Sequence, residues 1–113
     1  MKASTRTEGD VVVISLSGQL MGGPDAEAVR QLIRENLDAG RKKLVIDIGD
    51  ISWVNSTGLG ILIASHVTVS NAGGTLKLCR VSHRISQIFM VTKLHTVFET
   101  FDTVEQALES FAG

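Results

Sequence analysis

Two adjacent hydroxyls, Ser56 and Thr57, sit in the stretch Ile51-Ser52-Trp53-Val54-Asn55-Ser56-Thr57-Gly58-Leu59-Gly60. The stretch follows an apolar run and leads into another. A hydroxyl at the start of a helix meets unpaired backbone N–H groups and the positive end of the helix dipole. It can act there as a cap, the usual role of Ser or Thr at that place. It can also carry phosphate, whose charge would lie in a favourable field. Gly58 and Gly60 remove side chains where another protein's backbone would approach, or where two helices pack. No Gly-Lys-Ser/Thr follows, so the loop is not a phosphate cradle of the nucleotide-hydrolase kind.

Other reactive side chains offer less. His66, His83 and His95 are far apart and lack metal-ligand spacing. Cys79 is the only cysteine, which excludes an internal disulfide, and no histidine neighbours it in sequence to activate it. The carboxylates form no recognisable acid/base pair. Ser56 as a hydrolytic nucleophile would need a general base, and none stands at a telling position. The expectation is a binding protein with no catalytic residue, no metal and no cofactor. Trp53 reads equally well as a core residue or as a partly exposed anchor for a partner.

The elements that must hold this loop follow from periodicity. Val11 to Leu16 and Leu44 to Ile48 are β-branched runs that read as buried strands, with Asp47 a polar exception in the second. Ala3 to Thr7 alternates weakly, and Gly9-Asp10 marks a hairpin turn between it and the first run. Pro24 and Asp25 open a helix with apolar residues at Ala28, Val29, Leu32, Ile33 and Leu37, closed by Gly40. Further helices are predicted over Leu59 to Val69, Ile85 to Val91 and Thr103 to Phe111. Leu76, Leu78 and Val81 suggest another strand, and Val97-Phe98 a weak final one. Such alternation implies an α/β domain with a central mixed sheet of about four or five strands covered by helices.

The helix after Ser56 has an unusual outer side. Leu59, Leu62, Ile63 and Val67 are read as its inward stripe. Gly60, Ile61, Ala64, Ser65 and Thr68 lie opposite, and no charged residue is among them. A surface helix normally carries charge there. Either another element of the domain covers this side, or another protein does. In the second case Asn55, Ser56, Thr57, Gly58, Gly60, Ile61, Ala64 and Ser65 form the partner-binding surface.

Composition sets the frame. The 113 residues, 43% hydrophobic and 20% charged, suit a single domain spanning residues 1–113. A net charge of −1 gives no basic stripe for nucleic acid, and Arg41-Lys42-Lys43 reads as a solvated helix end. Met1 to Asp10 is polar and lacks the apolar core of a signal peptide. The apolar runs are too short for membrane insertion, and a cytoplasmic location is expected.

From Leu44 to Leu62 the chain resembles the anti-sigma factor antagonist family, the STAS fold. That family's signature is a strand, a short loop, then Asp-Ser-(Ser/Thr)-Gly-Leu-Gly opening a helix. Asn55-Ser56-Thr57-Gly58-Leu59-Gly60 matches it, with Asn55 in place of the aspartate. Ser17-Gly18-Gln19-Leu20, Ala72-Gly73-Gly74 before Leu76-Lys77-Leu78, and Thr92-Lys93-Leu94 with Val97-Phe98 extend the likeness over nearly the whole chain. Met21 stands where the family often has a second aspartate, with Asp25 nearby. The resemblance implies a bacterial regulator of transcription. Its unphosphorylated form would bind an ATP-dependent serine kinase that is also an anti-sigma factor. Phosphate on Ser56, with Thr57 the second choice, would release it, and a serine phosphatase would restore it. A STAS scaffold subunit that is never phosphorylated is the alternative.

Overall fold

The computed structural model describes residues 1–112. Strands β1 (Lys2–Glu8) and β2 (Val11–Leu20) form an antiparallel hairpin about Gly9-Asp10, with Gly9 at a φ of 66°. Three crossovers follow: α1 (Pro24–Asp38) leads to β3 (Lys43–Val54), α2 (Ser56–Asn71) to β4 (Thr75–Cys79), and α3 (His83–Val91) to β5 (Thr100–Phe101). Helix α4 (Val104–Ala112) closes the order. The sheet runs β1-β2-β3-β4-β5, parallel except at the hairpin. This is the expected mixed sheet covered by helices.

The uninterrupted apolar runs of β2 and β3 arise because both faces of the sheet are covered. Val12, Ile14, Leu16, Leu44, Ile46, Leu76 and Leu78 pack with Val29 and Ile33 of α1, Leu62 and Val69 of α2, and Ile85 and Phe89 of α3. Alternate residues Val11, Val13, Val45 and Cys79 pack with Val104 and Ala107 of α4. The register Ile14↔Ile46 and Ile46↔Leu78 keeps each set on its own face.

Three boundaries differ from the sequence reading. Strand β3 continues through Gly49-Asp50 to Val54, pairing as far as Leu20↔Val54 after two register shifts, at each of which β3 carries one extra residue. Helix α2 begins at Ser56, a turn earlier than the apolar pattern suggests. Val97-Phe98 is not a strand. It follows a 3₁₀ turn over Leu94–Thr96, and the ladder resumes only at Thr100. Phe98 is drawn inward instead, stacked on Phe89 at 5.5 Å between ring centroids and edge-on to His66 at 5.5 Å. Among the described residues, no helix is long and apolar enough to cross a membrane.

Candidate functional site

The corner where β3 turns into α2 is fixed by one side chain, Asn55. Its Oδ1 accepts from the Gly58 N–H at 2.8 Å, so Asn55 is the N-cap of α2. Its Nδ2 donates to the Met21 carbonyl at 3.1 Å, in the loop between β2 and α1. Both partners are backbone groups of fixed polarity, which sets the amide's orientation. The Met21 N–H in turn donates to Asp25 Oδ2 at 3.4 Å. A chain of hydrogen bonds thus joins the start of α1 to the start of α2. A carboxylate at position 55 could cap the helix but could not donate to Met21.

Glycines let the two loops close on each other. A Cβ on Gly58 would overlap the Leu20 carbonyl oxygen, and one on Gly22 would meet the Thr57 side chain. Gly22 also has a φ of 103°, in the left-handed region that favours glycine. Gly60 differs, because a Cβ there would have no atom within 4 Å. Packing inside the domain therefore explains Gly58 and does not explain Gly60.

Ser56 is the first residue of α2 and is exposed. The expectation that its hydroxyl caps the helix is corrected here: Asn55 does that, so the fold makes no use of the Ser56 hydroxyl as a cap. Thr57 is also exposed, but its methyl rests beside Gly22. Ser56 and Thr57 stand at the N-terminus of a sixteen-residue helix, the positive end of its dipole.

The two sides of α2 differ in part from the sequence reading: Gly60, Ala64 and Thr68 are exposed as expected, but four other positions are exchanged. Of the proposed inward stripe only Leu62 is fully buried; Leu59 is half-buried, and Ile63 and Val67 are exposed at 36% and 47%. Ile61 and Ser65, assigned to the partner surface, are buried, only 8% and 6% exposed, beside Ile33 of α1. Ser65 also returns its hydroxyl to the Ile61 carbonyl at 2.8 Å. The cause is that α1 lies along α2 and covers it. Gly58 is buried against Leu20 as well. What remains open of the assigned surface is Ser56, Thr57, Gly60 and Ala64, with Asn55 half-buried at its edge. Beside it, a small cleft of about 60 Å³ runs between Ala26 and Arg30 of α1 and Ala64 and Thr68 of α2.

Two clusters were not legible as such. Asp47, the polar exception in β3, is buried and takes two hydrogen bonds from Arg80 Nη1, at 3.0 and 3.4 Å, and one from the Gly49 N–H at 2.9 Å. Arg80 also reaches Asp50 at 3.5 Å. These contacts hold the Arg80 guanidinium above its ordinary pKa, the Asp47 hydrogen bond being the largest cause. Beneath α4, Lys77 lies with its Nζ 4.2 Å from the Phe111 ring centroid and 2.7 Å from Ser110 Oγ. Cys79 is wholly buried there, and burial first, then Asp47, pushes its thiol up to about 12. It is a packed thiol, held in its unreactive form. Among the described residues no group of three or more His, Cys, Asp or Glu is placed to hold a metal ion.

The fold and corner together define a mixed-sheet α/β domain that presents a serine at a helix N-terminus. The chain matches the STAS domain family model over residues 2–107 and belongs to that family. It is 36% identical over 56 residues to the anti-sigma-B factor antagonist of Bacillus subtilis, an alignment covering 50% of this chain and 51% of the relative. Its fold is that of an anti-sigma factor antagonist from Mycobacterium paratuberculosis, with a TM-score of 0.85 at 22% identity over 99% of this chain and 94% of the other. The anti-sigma factor antagonist SpoIIAA in its unphosphorylated form superposes with a TM-score of 0.77 at 20% identity, covering 99% of each chain.

Proposed function

We propose that this STAS domain is a phosphorylation-controlled antagonist of an anti-sigma factor, acting in the bacterial cytoplasm. Unphosphorylated, it binds an ATP-dependent serine kinase that serves as the anti-sigma factor, through Ser56, Thr57, Gly60 and Ala64. Phosphate on Ser56 ends that complex, and a serine phosphatase restores it. The observation that carries this reading is that the fold leaves Ser56 exposed at the α2 N-terminus while Asn55 supplies the cap. Gly60 supports it, since it leaves the neighbouring surface flat without an internal reason. A relative of the same fold, SpoIIAA, has been solved in a phosphorylated form.

The chemistry explains why phosphate would act on the partner and not on the fold. A phosphoserine brings about −1.5 to −2 charges, which the helix dipole favours. Covered by a partner, the same charge loses its water, at a cost of several kcal/mol. The test is incubation with the candidate kinase and ATP, followed by mass spectrometry and calorimetric titration. Phosphate is expected on Ser56, and Ser56→Asp is expected to bind the kinase at least about tenfold more weakly than wild type. Label on Thr57 alone, or equal affinities, would overturn the proposal. No label at all would favour the second reading, an unphosphorylated STAS scaffold. That reading has its own support in the Asn55 amide, whose bond to Met21 a carboxylate could not make.

A further inference from the structure

A second surface lies outside the Ser56 corner. Trp53, at the end of β3, is 40% exposed, and the Arg84 guanidinium stands 5.7 Å from its ring centroid. Between them Gln87, Ile88, Val91 and Thr92 of the α3 region line an open, mainly apolar groove of about 380 Å³. Val91 is 84% exposed and Met90 beside it 63%, at the last turn of α3. Isolated exposed apolar residues are ordinary, whereas a tryptophan, an isoleucine and a valine lining one groove mark a site of contact.

The charge around the groove says what would fill it. From Ile51 to Phe98 the chain has no aspartate or glutamate, while Lys77, Arg80, Arg84 and Lys93 are all cationic. Lys77 is buried under α4, and Arg80 is engaged by Asp47 and Asp50. Arg84 lines the groove and Lys93 directly follows its Thr92 in sequence; both are exposed, and neither has an ion-pair partner among the described residues. A second copy placing the same groove face to face would bring these cations together, which opposes self-pairing. A lipid surface or nucleic acid would call for a larger basic cluster than two residues on a chain of net charge −1.

We infer that the Trp53–α3 groove is a docking site for an acidic amphipathic segment of another protein, its apolar side chains against Trp53 and Val91 and its carboxylates toward Arg84 and Lys93. The site is distinct from the Ser56 surface and does not require phosphate. Aspartate or glutamate flanking an apolar pair at helical spacing is the pattern that would be recognised.

Trp53 is the only tryptophan and the chain has no tyrosine, so its emission reports the groove directly. The probe is a displayed library of short helical segments selected on the full chain, with counter-selection on Val91→Asp. The expected result is enrichment of acidic sequences with an apolar i, i+4 pair. The synthesised winners should shift Trp53 emission to the blue and lose at least about tenfold in affinity toward Val91→Asp and Arg84→Glu. Circular dichroism should show both variants folded, since both side chains are on the surface. Ser56→Ala should bind the winners as wild type does, which separates this site from the phosphorylation reading. No enrichment, neutral or basic winners, or winners indifferent to both variants would overturn the inference. So would a blue shift produced by anionic phospholipid vesicles, or concentration-dependent self-association quenched by Val91→Asp.

Discussion

Two polar clusters, one within β3 and one where β3 turns into α2, are built on opposite rules. At Asp47-Ile48-Gly49-Asp50, the polar side chains are spent inside the domain: Asp47 accepts from Arg80 and from Gly49, and Arg80 also reaches Asp50. Even the glycine is committed, since a Cβ on Gly49 would meet the Arg80 guanidinium. At Asn55-Ser56-Thr57-Gly58-Leu59-Gly60 the commitment is partial. Asn55 and Gly58 are tied into the loop of Leu20 to Gly22, while Ser56 and Gly60 are free of it. Buried polar groups must be paired, so a fully paired cluster is explained by stability alone. Groups that folding leaves unused, next to groups it fixes firmly, are available for a partner.

Substitutions that break this division should act most strongly at the committed positions. Gly58→Ala should be the most damaging change in the corner. Its Cβ would meet the Leu20 carbonyl and the Val54 side chain, and neither backbone can withdraw without opening the β2–α1 loop. Overpacking of this kind costs about 3 kcal/mol, read as a lower midpoint in urea unfolding. A loss below about 1 kcal/mol would mean the two loops are not locked together.

Arg80→Ala tests the other cluster. It would leave the Asp47 carboxylate buried with only the Gly49 N–H, and losing a hydrogen bond to a charged group costs about 1.5–3 kcal/mol. Part of that cost is relieved, because Arg80 itself is exposed and water can enter where it leaves. One compensation is built in: Arg80 has a φ of 57°, and Arg80→Gly should recover some stability over Arg80→Ala. Equal stability of the two variants would show that the backbone strain there is negligible.

Gly60→Ala should have the opposite sign. The position is helical, exposed and open to a Cβ, so alanine should stabilise the domain by about 0.5–1 kcal/mol. The same methyl would stand on the proposed partner surface and should weaken kinase binding. A protein that is more stable and binds less well is what the proposed division of labour requires. A variant more stable and equally good at binding would remove Gly60 from that surface.

How far the sequence revealed this division depended on the range of the interactions. Val11 to Leu16, Leu44 to Ile48 and the α1 stripe were legible because burial on one or both faces imprints a local pattern. The position of Ser56 at a helix start was legible from the serine–glycine punctuation and the family motif. The faces of α2 were not. That helix is apolar nearly all round, since the sheet lies on one side of it, α1 on another and Phe98 beside His66, so its periodicity cannot say which side is inward. The second half of β3 was hidden by Gly49-Asp50, whose place in a strand depends on Arg80, a residue that is distant in sequence. Asn55 and Ser56 are both capable caps, and the choice between them rests on Met21, 34 residues earlier.

That choice yields the smallest expected effect and the one that most sharpens the comparison. Asn55→Ala removes the cap and the bond to Met21, and should cost about 1 kcal/mol or somewhat more. Ser56→Ala removes a hydroxyl that the cap does not use, and should change stability by less than about 0.5 kcal/mol. Ser56→Asp adds a charge at the positive end of the α2 dipole and should be neutral or stabilising by about 0.3–1 kcal/mol, an increment that shrinks in added salt. Melting curves of the three variants at low and high salt would read these differences. If Ser56→Ala cost as much as Asn55→Ala, the serine would be part of the helix start after all. Its exposure would then be incidental to folding, and the strongest physical reason for assigning it to a partner would be gone.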